Sequence, residues 1–184
     1  MDTQANEVVA IKKTINEEVF TKLCEHFKNG HLCLSDIAQI PMSELENIHQ
    51  LARRYLLHQE YVRAAKIMKM LVHLYPYSSD FWGTYGIVLQ RQEDYLKARM
   101  AYFAANEFDK KRPEWMVYAA ECELMLQNPQ FALDLIKPVF HLQIANANKS
   151  REMLKRAQRI KIIAENMESG PDDLDAIKAR IKAS

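Results

Sequence analysis

Apolar residues recur three and four positions apart over much of the chain, which is the spacing of one face of an α-helix. Residues 17–29 predict such a helix, and Gly30 ends it. Residues 31–42 predict a short helix or a turn. The apolar face of the first helix consists of Val19, Phe20, Leu23 and Phe27. The beginning of the chain is therefore expected to be a helical leader.

A long helix is also predicted near the C-terminus, over residues 147–168. Its apolar face consists of Met153, Leu154, Ile160 and Ile163. The Gly-Pro pair at 170–171 ends this helix, and residues 172–183 predict a last short helix or a frayed tail. A short solenoid needs such a helix to cover the exposed end of its last repeat.

Between these two helices the pattern repeats every 34 residues, which is the period of tetratricopeptide helical hairpins. Small residues recur in both helices of each unit, where they let two backbones approach closely. Large residues fill the space beside them. The matched small positions are Ala52, Gly86 and Ala120 in the first helices, and Ala64, Ala98 and Ala132 in the second. Tyr61 and Tyr95 are matched aromatic markers, and Pro76 closes the first unit.

Capping residues mark where these helices are expected to begin and end. Ser43 and Glu46 have the spacing of a capping box ahead of the first hairpin. Ser78 or Ser79 is expected to cap the helix that carries Trp82. Asn128 followed by proline is typical of an N-cap and a first helical residue. In the same unit, Pro138 predicts a kink or an early helix end.

The predicted fold is therefore all-α, with three tetratricopeptide-like helical hairpins in a short solenoid. The leader occupies residues 1–42, and a cap helix with a tail occupies 147–184. The hairpins occupy about 43–77, 78–112 and 113–146.

Composition narrows the class further. With 4 Gly and 6 Pro in 184 residues the chain has too few turn residues for a β-sandwich or barrel. A net charge of +1 with 48% hydrophobic residues argues against both disorder and broad polyanion binding.

No stretch approaches the roughly 18 apolar residues of a membrane span. Residues 1–20 contain four acids and no apolar core, so no secretory signal is expected. Three cysteines without a signal indicate a reducing, cytoplasmic setting.

The first helices of such hairpins line a concave face, so residues three and four apart on them are candidates for a peptide-binding groove. Arg53 and Gln90 could hold a peptide backbone, or they could be ordinary solvated residues. Gly83 either leaves room for a bound chain or is a tolerated surface glycine. The predicted groove residues on the first helices are His49, Arg53, Leu56, Asp80, Gly83, Ile87, Gln90, Val117, Glu121 and Leu124. Leu74, Tyr77 and Phe81 are expected at the turn between repeats, near one rim, and Tyr102 is expected to reach the floor of the groove.

Catalytic and metal chemistry find little support in the residues. Cys24, His26, His31 and Cys33 cluster in sequence, but their spacing fits no common zinc pattern. No nucleophile comes with a base and an orienting group, and no glycine-rich phosphate loop is present. We therefore expect no enzyme activity, no metal, no cofactor and no small-molecule substrate.

A basic run follows the third hairpin. Helical spacing puts Arg151, Lys155 and Arg159 on one face, which suits an anionic partner or nucleic acid, or else a solvated outer face. No aromatic residue interleaves the run, so nucleic acid is not favoured. The run consists of Lys149, Arg151, Lys155, Arg156, Arg159 and Lys161.

Several segments together match one known family, over roughly residues 20–145. The matching residues are the segment from Leu45 to Ala52, the segment from Tyr61 to Ala65, Gly86, Gln90, Tyr95, Ala98, Tyr102, Pro113 and the segment from Ala119 to Cys122. This series resembles the class II chaperones of bacterial type III secretion. The resemblance implies a cytoplasmic chaperone of a Gram-negative bacterium. Such a chaperone binds a hydrophobic translocator before export, through an extended segment near the translocator's N-terminus, and keeps it from aggregating.

The same resemblance implies a homodimer through the N-terminal helices, with Phe20, Leu23 and Phe27 as a dimer seam; alternatively these residues fold over the first hairpin. The chain departs from the family pattern in its long C-terminal extension and in having polar residues where the groove is usually aromatic. A second functional hypothesis is an adaptor or regulatory protein whose repeats recruit a protein partner and whose basic helix meets nucleic acid or the secretion machinery.

Overall fold

The computed structural model describes residues 33–141 and 147–169, and all regular structure within these ranges is helical. A 3₁₀-helix at Lys137–His141 follows the seventh α-helix. The α-helices are α1 (Leu34–Ile37), α2 (Met42–Leu57), α3 (Tyr61–Leu74), α4 (Ser79–Arg91), α5 (Tyr95–Phe108), α6 (Glu114–Met125), α7 (Pro129–Ile136) and α8 (Ala147–Ser169). The predicted leader helix with its dimer seam, the last short helix, and Cys24, His26 and His31 lie outside the described residues.

Helices α2 to α7 form consecutive pairs, each joined by a turn of three residues. The middle residue of each turn has a positive φ: 62° at Gln59, 63° at Glu93 and 60° at Gln127. The residue that follows then bonds back into the preceding helix, as when Asp94 N donates to Leu89 O at 3.0 Å. The 34-residue period is thus present in the backbone of the turns, although no glycine marks it in the sequence.

The small positions of the repeat are buried, as predicted. Ala52, Ala64, Ala98, Ala120 and Ala132 are fully inaccessible to solvent. In the second unit the matched residue is Gly86, and the ring of Tyr102 occupies the space that a side chain would need. A β-carbon built on Gly86 would lie 2.6 Å from Cε1 of Tyr102. Close approach between helices therefore explains why only small residues fit at these positions.

Most of the predicted caps are present. The Ser78 hydroxyl accepts a hydrogen bond from the Phe81 amide at 3.2 Å, and Asn128 and Pro129 begin α7. Helix α7 ends at Ile136, one residue before the 3₁₀-helix that contains Pro138, so the predicted early end is confirmed.

The capping box at Ser43 is wrong. Helix α2 begins one residue earlier, at Met42, and its N-cap is Pro41, with φ −68° and ψ 149°. Proline already holds the dihedral angle φ that a helix entry needs, and no side chain caps this end. Ser43 therefore lies inside the first turn.

Helix α8 belongs to the core of the third hairpin. Its buried face packs against Val117 of α6 and against Ile136 of α7. The buried residues on that face are Met153, Ala157, Ile160 and Ala164. The predicted all-α, tetratricopeptide-like class is confirmed, and α8 forms a further wall beside the first helices of hairpins two and three.

Candidate functional site: a cavity beside the C-terminal helix

A cavity of about 980 Å³ lies between α4, α6 and α8. It lies on the side of the first helices, which the sequence predicts to be concave. Apolar and polar side chains share its lining. The lining residues are Ile87, Gln90, Arg91, Tyr95, Tyr102, Tyr118, Glu121, Leu124, Met125, Gln127, Arg156, Arg159, Ile160, Ile163 and Met167.

A chain of hydrogen bonds crosses the cavity lining. The Tyr102 hydroxyl donates to Gln90 Oε1 at 2.7 Å, and Gln90 Nε2 donates to Glu121 Oε2 at 3.2 Å. The other oxygen of Glu121 lies 3.3 Å from Nε of Arg156. Burial raises the pKa of Tyr102 far above its ordinary value, so the hydroxyl stays protonated and acts as the donor. The chain joins α5, α4, α6 and α8 in one network.

Aromatic rings pack against two members of this network, Tyr102 and Arg156. The rings of Tyr102 and Trp115 stack with centroids 6.2 Å apart, and Tyr118 lies 5.5 Å from Tyr102. The guanidinium of Arg156 sits 4.8 Å from the centre of the Tyr118 ring, a cation–π contact. The side chain of Arg156 is therefore held in place by two contacts, one with Glu121 and one with the Tyr118 ring.

Five of the predicted groove residues line this cavity, and they come from hairpins two and three. Tyr102, which lies on a second helix, is buried and lines the cavity. The five are Ile87, Gln90, Tyr102, Glu121 and Leu124. From the sequence, Gln90 was either a group that holds a peptide backbone or an ordinary solvated residue; in the structure both ends of its amide bond to other side chains.

The predicted residues of the first hairpin lie elsewhere. His49 is buried, its Nε2 lies 2.8 Å from Thr84 Oγ1, and its ring meets Phe81 edge-on at 5.0 Å. Burial lowers the pKa of His49, and the carboxylate of Glu46 acts in the opposite direction. His49 thus ties α2 to α4. Arg53 is exposed and Leu56 is half-buried on α2.

Other predicted residues lie near the junction of hairpins one and two. The Tyr77 ring packs edge-on against Phe108 at 5.8 Å, and Leu74 packs into the first core cluster. Asp80 is exposed and pairs with Arg112. None of these residues lines the cavity.

Besides His49, three predicted groove residues are buried and do not line the cavity, which corrects the prediction made from the sequence. Phe81 and Val117 are buried in the core because the first helices also pack against neighbours. Gly83 is buried too, and a β-carbon there would lie 2.2 Å from Cη2 of Trp115. The glycine makes room for this indole, so it is neither room for a bound chain nor a tolerated surface glycine, and both alternatives offered from the sequence are wrong.

The contribution of α8 to the cavity was not predicted from the sequence. Arg156, Arg159, Ile160, Ile163 and Met167 line it, although the helix was treated mainly as a cap. Their spacing of three and four residues shows that they share a face. That periodicity was visible in the sequence, but the direction in which the face points depends on how α8 crosses α6.

Outside the cavity, the described residues show neither a reactive cysteine nor a cluster of metal-binding side chains. Burial raises the pKa of the Cys122 thiol to about 12, so it is uncharged near neutral pH. No group of three metal-binding side chains occurs within residues 33–141 and 147–169. Among the helices in these ranges, none combines the length and apolar character needed to cross a membrane.

No protein-family model matches the sequence, and no curated protein matches it. Solved structures do match it. A type III secretion system complex from Aeromonas hydrophila is 23% identical, with a TM-score of 0.67, over 79% of this chain and 95% of that chain. The Yersinia enterocolitica chaperone SycD, in complex with a peptide of the translocator YopD, is 26% identical, with a TM-score of 0.61, over 68% and 95%. SycD in an alternative dimer is 25% identical, with a TM-score of 0.57, over 68% and 95%.

These matches confirm the resemblance inferred from the residues. The fold of this chain is that of the tetratricopeptide-like translocator chaperones of type III secretion. SycD is one such chaperone, and its structure holds a translocator peptide.

Proposed function

We propose that this chain is a cytoplasmic chaperone of a type III secretion system. It binds hydrophobic translocator proteins on the side of its first helices and keeps them soluble for export. The observation that carries the proposal is the cavity between α4, α6 and α8 in a fold shared with a chaperone that holds a translocator peptide. The role is one of binding and requires no bond chemistry.

An extended segment suits this site for physical reasons. Successive side chains of an extended chain point to opposite sides, about 3.3 Å apart along the chain. Alternate apolar residues can therefore enter the cavity while the others stay in solvent. Burying apolar side chains contributes roughly 25 cal/mol for each Å² of apolar surface removed from water, and this favours binding of an apolar segment.

The client is tested by co-expression. Genes beside the one for this chain that encode large proteins with apolar spans supply the candidates. We expect the chaperone to keep such a protein in the soluble fraction, and to bind fluorescein-labelled peptides tiled along its N-terminal region. If no candidate becomes soluble and no peptide binds, the proposal fails.

A matched pair of variants ties that activity to the cavity. Ile87→Asp places a carboxylate in the lining, and we expect peptide affinity to fall by about tenfold or more. Leu96→Asp makes the same kind of change on α5, at a side chain that is 51% exposed and does not line the cavity. Its affinity should be unchanged. Circular dichroism checks that both variants are folded.

The leader is proposed as the dimerisation segment, with Phe20, Leu23 and Phe27 as the seam. The support is the family resemblance and the dimeric structure of SycD. Sedimentation equilibrium of the chain and of Phe20→Asp tests it, because a dimer seam predicts that the variant is monomeric.

The adaptor hypothesis keeps one supporting observation. Arg151 and Lys155 are exposed on α8 and form no ion pair with any residue that the structure describes. If they recruit an anionic partner, replacing both with Gln should weaken a salt-sensitive association while leaving client solubility unchanged.

A further inference from the structure

The cavity has a positively charged rim. Arg91 comes from the last turn of α4, whereas Arg156 and Arg159 come from α8. Among the described residues of the lining, Glu121 is the only acidic one, so three arginines face one glutamate. This charge excess contrasts with the near-neutral chain as a whole, whose net charge is +1.

The three arginines are not equivalent. Arg156 is occupied, because it pairs with Glu121 and lies over Tyr118. Arg91 and Arg159 are exposed, and neither forms an ion pair with a residue in the described ranges. Two guanidinium groups therefore remain available to a ligand at the cavity mouth.

An incoming carboxylate would not have to break the internal network. Glu121 is already compensated by Gln90 and Arg156, so it adds little repulsion at the rim. A guanidinium group can bind a carboxylate through two parallel hydrogen bonds. The apolar part of the lining lies beside these arginines and consists of Ile87, Leu124, Ile160, Ile163 and Met167.

We propose that this cavity recognises an acidic side chain within an extended apolar segment of the client, with Arg91 and Arg159 as the carboxylate-binding residues and α8 as the specificity wall. The inference rests on the proposed function and names the chemistry of the segment. The occupant is a polypeptide because the fold is shared with a chaperone that holds a translocator peptide. The cavity of about 980 Å³ offers such a segment charge at its mouth and an apolar wall from three helices.

Three fluorescein-labelled peptide mixtures provide a probe that needs no known client. Each mixture has the same length, with randomised Leu, Ile, Val and Phe positions around one fixed residue, which is Glu, Gln or Lys. We expect the Glu mixture to bind about tenfold more tightly than the Lys mixture, as measured by fluorescence anisotropy. The Gln mixture should lie between them. Added salt should reduce the difference.

Two charge reversals on α8 test whether the preference for the Glu mixture depends on a residue that lines the cavity. Arg159→Glu should abolish or invert the preference for the Glu mixture. Arg151→Glu changes the net charge equally, at an exposed residue of α8 that does not line the cavity, and should leave the preference unchanged. Arg91→Glu provides an independent repeat from α4. Equal binding of all three mixtures, or equal effects of Arg151→Glu and Arg159→Glu, overturns the proposal.

The co-expression experiment separates this inference from the proposed function. If clients become soluble and Arg159→Glu does not weaken the binding of their peptides, the acidic-residue inference fails while the chaperone function stands. If the Glu mixture is preferred through Arg159 but no translocator is bound, the chaperone function fails while the carboxylate site stands.

Discussion

At the scale of single residues, Gly83 shows how packing restricts a position. We expect Gly83→Ala to lower the free energy of unfolding by about 1–3 kcal/mol, because its β-carbon would overlap the buried Trp115 indole. Alanine's better helix propensity, worth about 1 kcal/mol, offsets only part of this. Urea unfolding measures the change, with Arg91→Ala at an exposed position as the control. A variant more stable than the parent chain would contradict this packing.

His49 gives a pH dependence at the same scale. Its imidazole titrates near a pKa of 6.5 when free, and burial lowers this pKa in the folded chain. Between the two values the unfolded chain binds more protons. Stability is therefore lost as the pH falls below about 6.5 and through the folded pKa.

We expect His49→Gln to show a smaller loss of stability than the parent chain between about pH 7.5 and about pH 5.5, because the variant lacks the buried imidazole. Urea unfolding at each pH is the measurement. His58→Gln, at an exposed residue just after the same helix, is the matched histidine substitution. An unchanged loss in His49→Gln would show that this histidine is not the titrating group.

At the scale of elements, the turns inside the hairpins contain a repeated strain. Glu93 adopts a left-handed conformation with φ 63°, which costs an L-residue about 1–2 kcal/mol and glycine almost nothing. We expect Glu93→Gly to raise stability by about 0.5–1 kcal/mol, whereas Glu93→Ala should give no such gain. Thermal unfolding of the two variants decides this, and equal midpoints would contradict it.

An ion pair connects hairpins two and three. Arg99 on α5 lies 2.8 Å from Glu123 on α6, a fully buried carboxylate that also accepts a hydrogen bond from Asn128 at 3.0 Å. We expect Arg99→Met to cost about 3–5 kcal/mol, because it leaves a buried charge without its cation.

The double variant Arg99→Met with Glu123→Leu should recover most of that loss, because it leaves neither charge unpaired. Urea unfolding of the two single variants and the double variant completes the cycle. If the double variant loses as much as the sum of the single variants, the pair is not coupled in the way proposed.

At the scale of the whole molecule, α8 completes the fold as well as the cavity. A chain that ends at His141 would expose Val117 and Ile136, which α8 otherwise covers. We expect it to unfold at a lower temperature and to lose solubility, because a solenoid with an uncovered apolar end aggregates. A chain that ends at Ser169 is the control. An unchanged unfolding midpoint in the shorter chain would contradict a structural role for α8.

Much of this molecule could be predicted from local pattern. The hairpin helices, the cap at Ser78 and the early end before Pro138 each depend on nearby residues and their periodicity. The capping box at Ser43 was predicted by the same reasoning and was wrong, because Pro41 sets the helix entry instead. Side-chain burial was harder to predict, since Phe81 and Val117 lie on first helices that pack against neighbours as well as facing the groove.

The sequence by itself determined the all-α class, the 34-residue repeat and the small positions where helices meet, because these follow from periodicity and side-chain volume. Only the tertiary structure decided that Trp115 fills the space at Gly83 and that α8 brings Arg159 to the cavity mouth. The physical reason is that both depend on how helices distant in sequence cross one another. Helical periodicity shows which residues share a face, but not what that face meets.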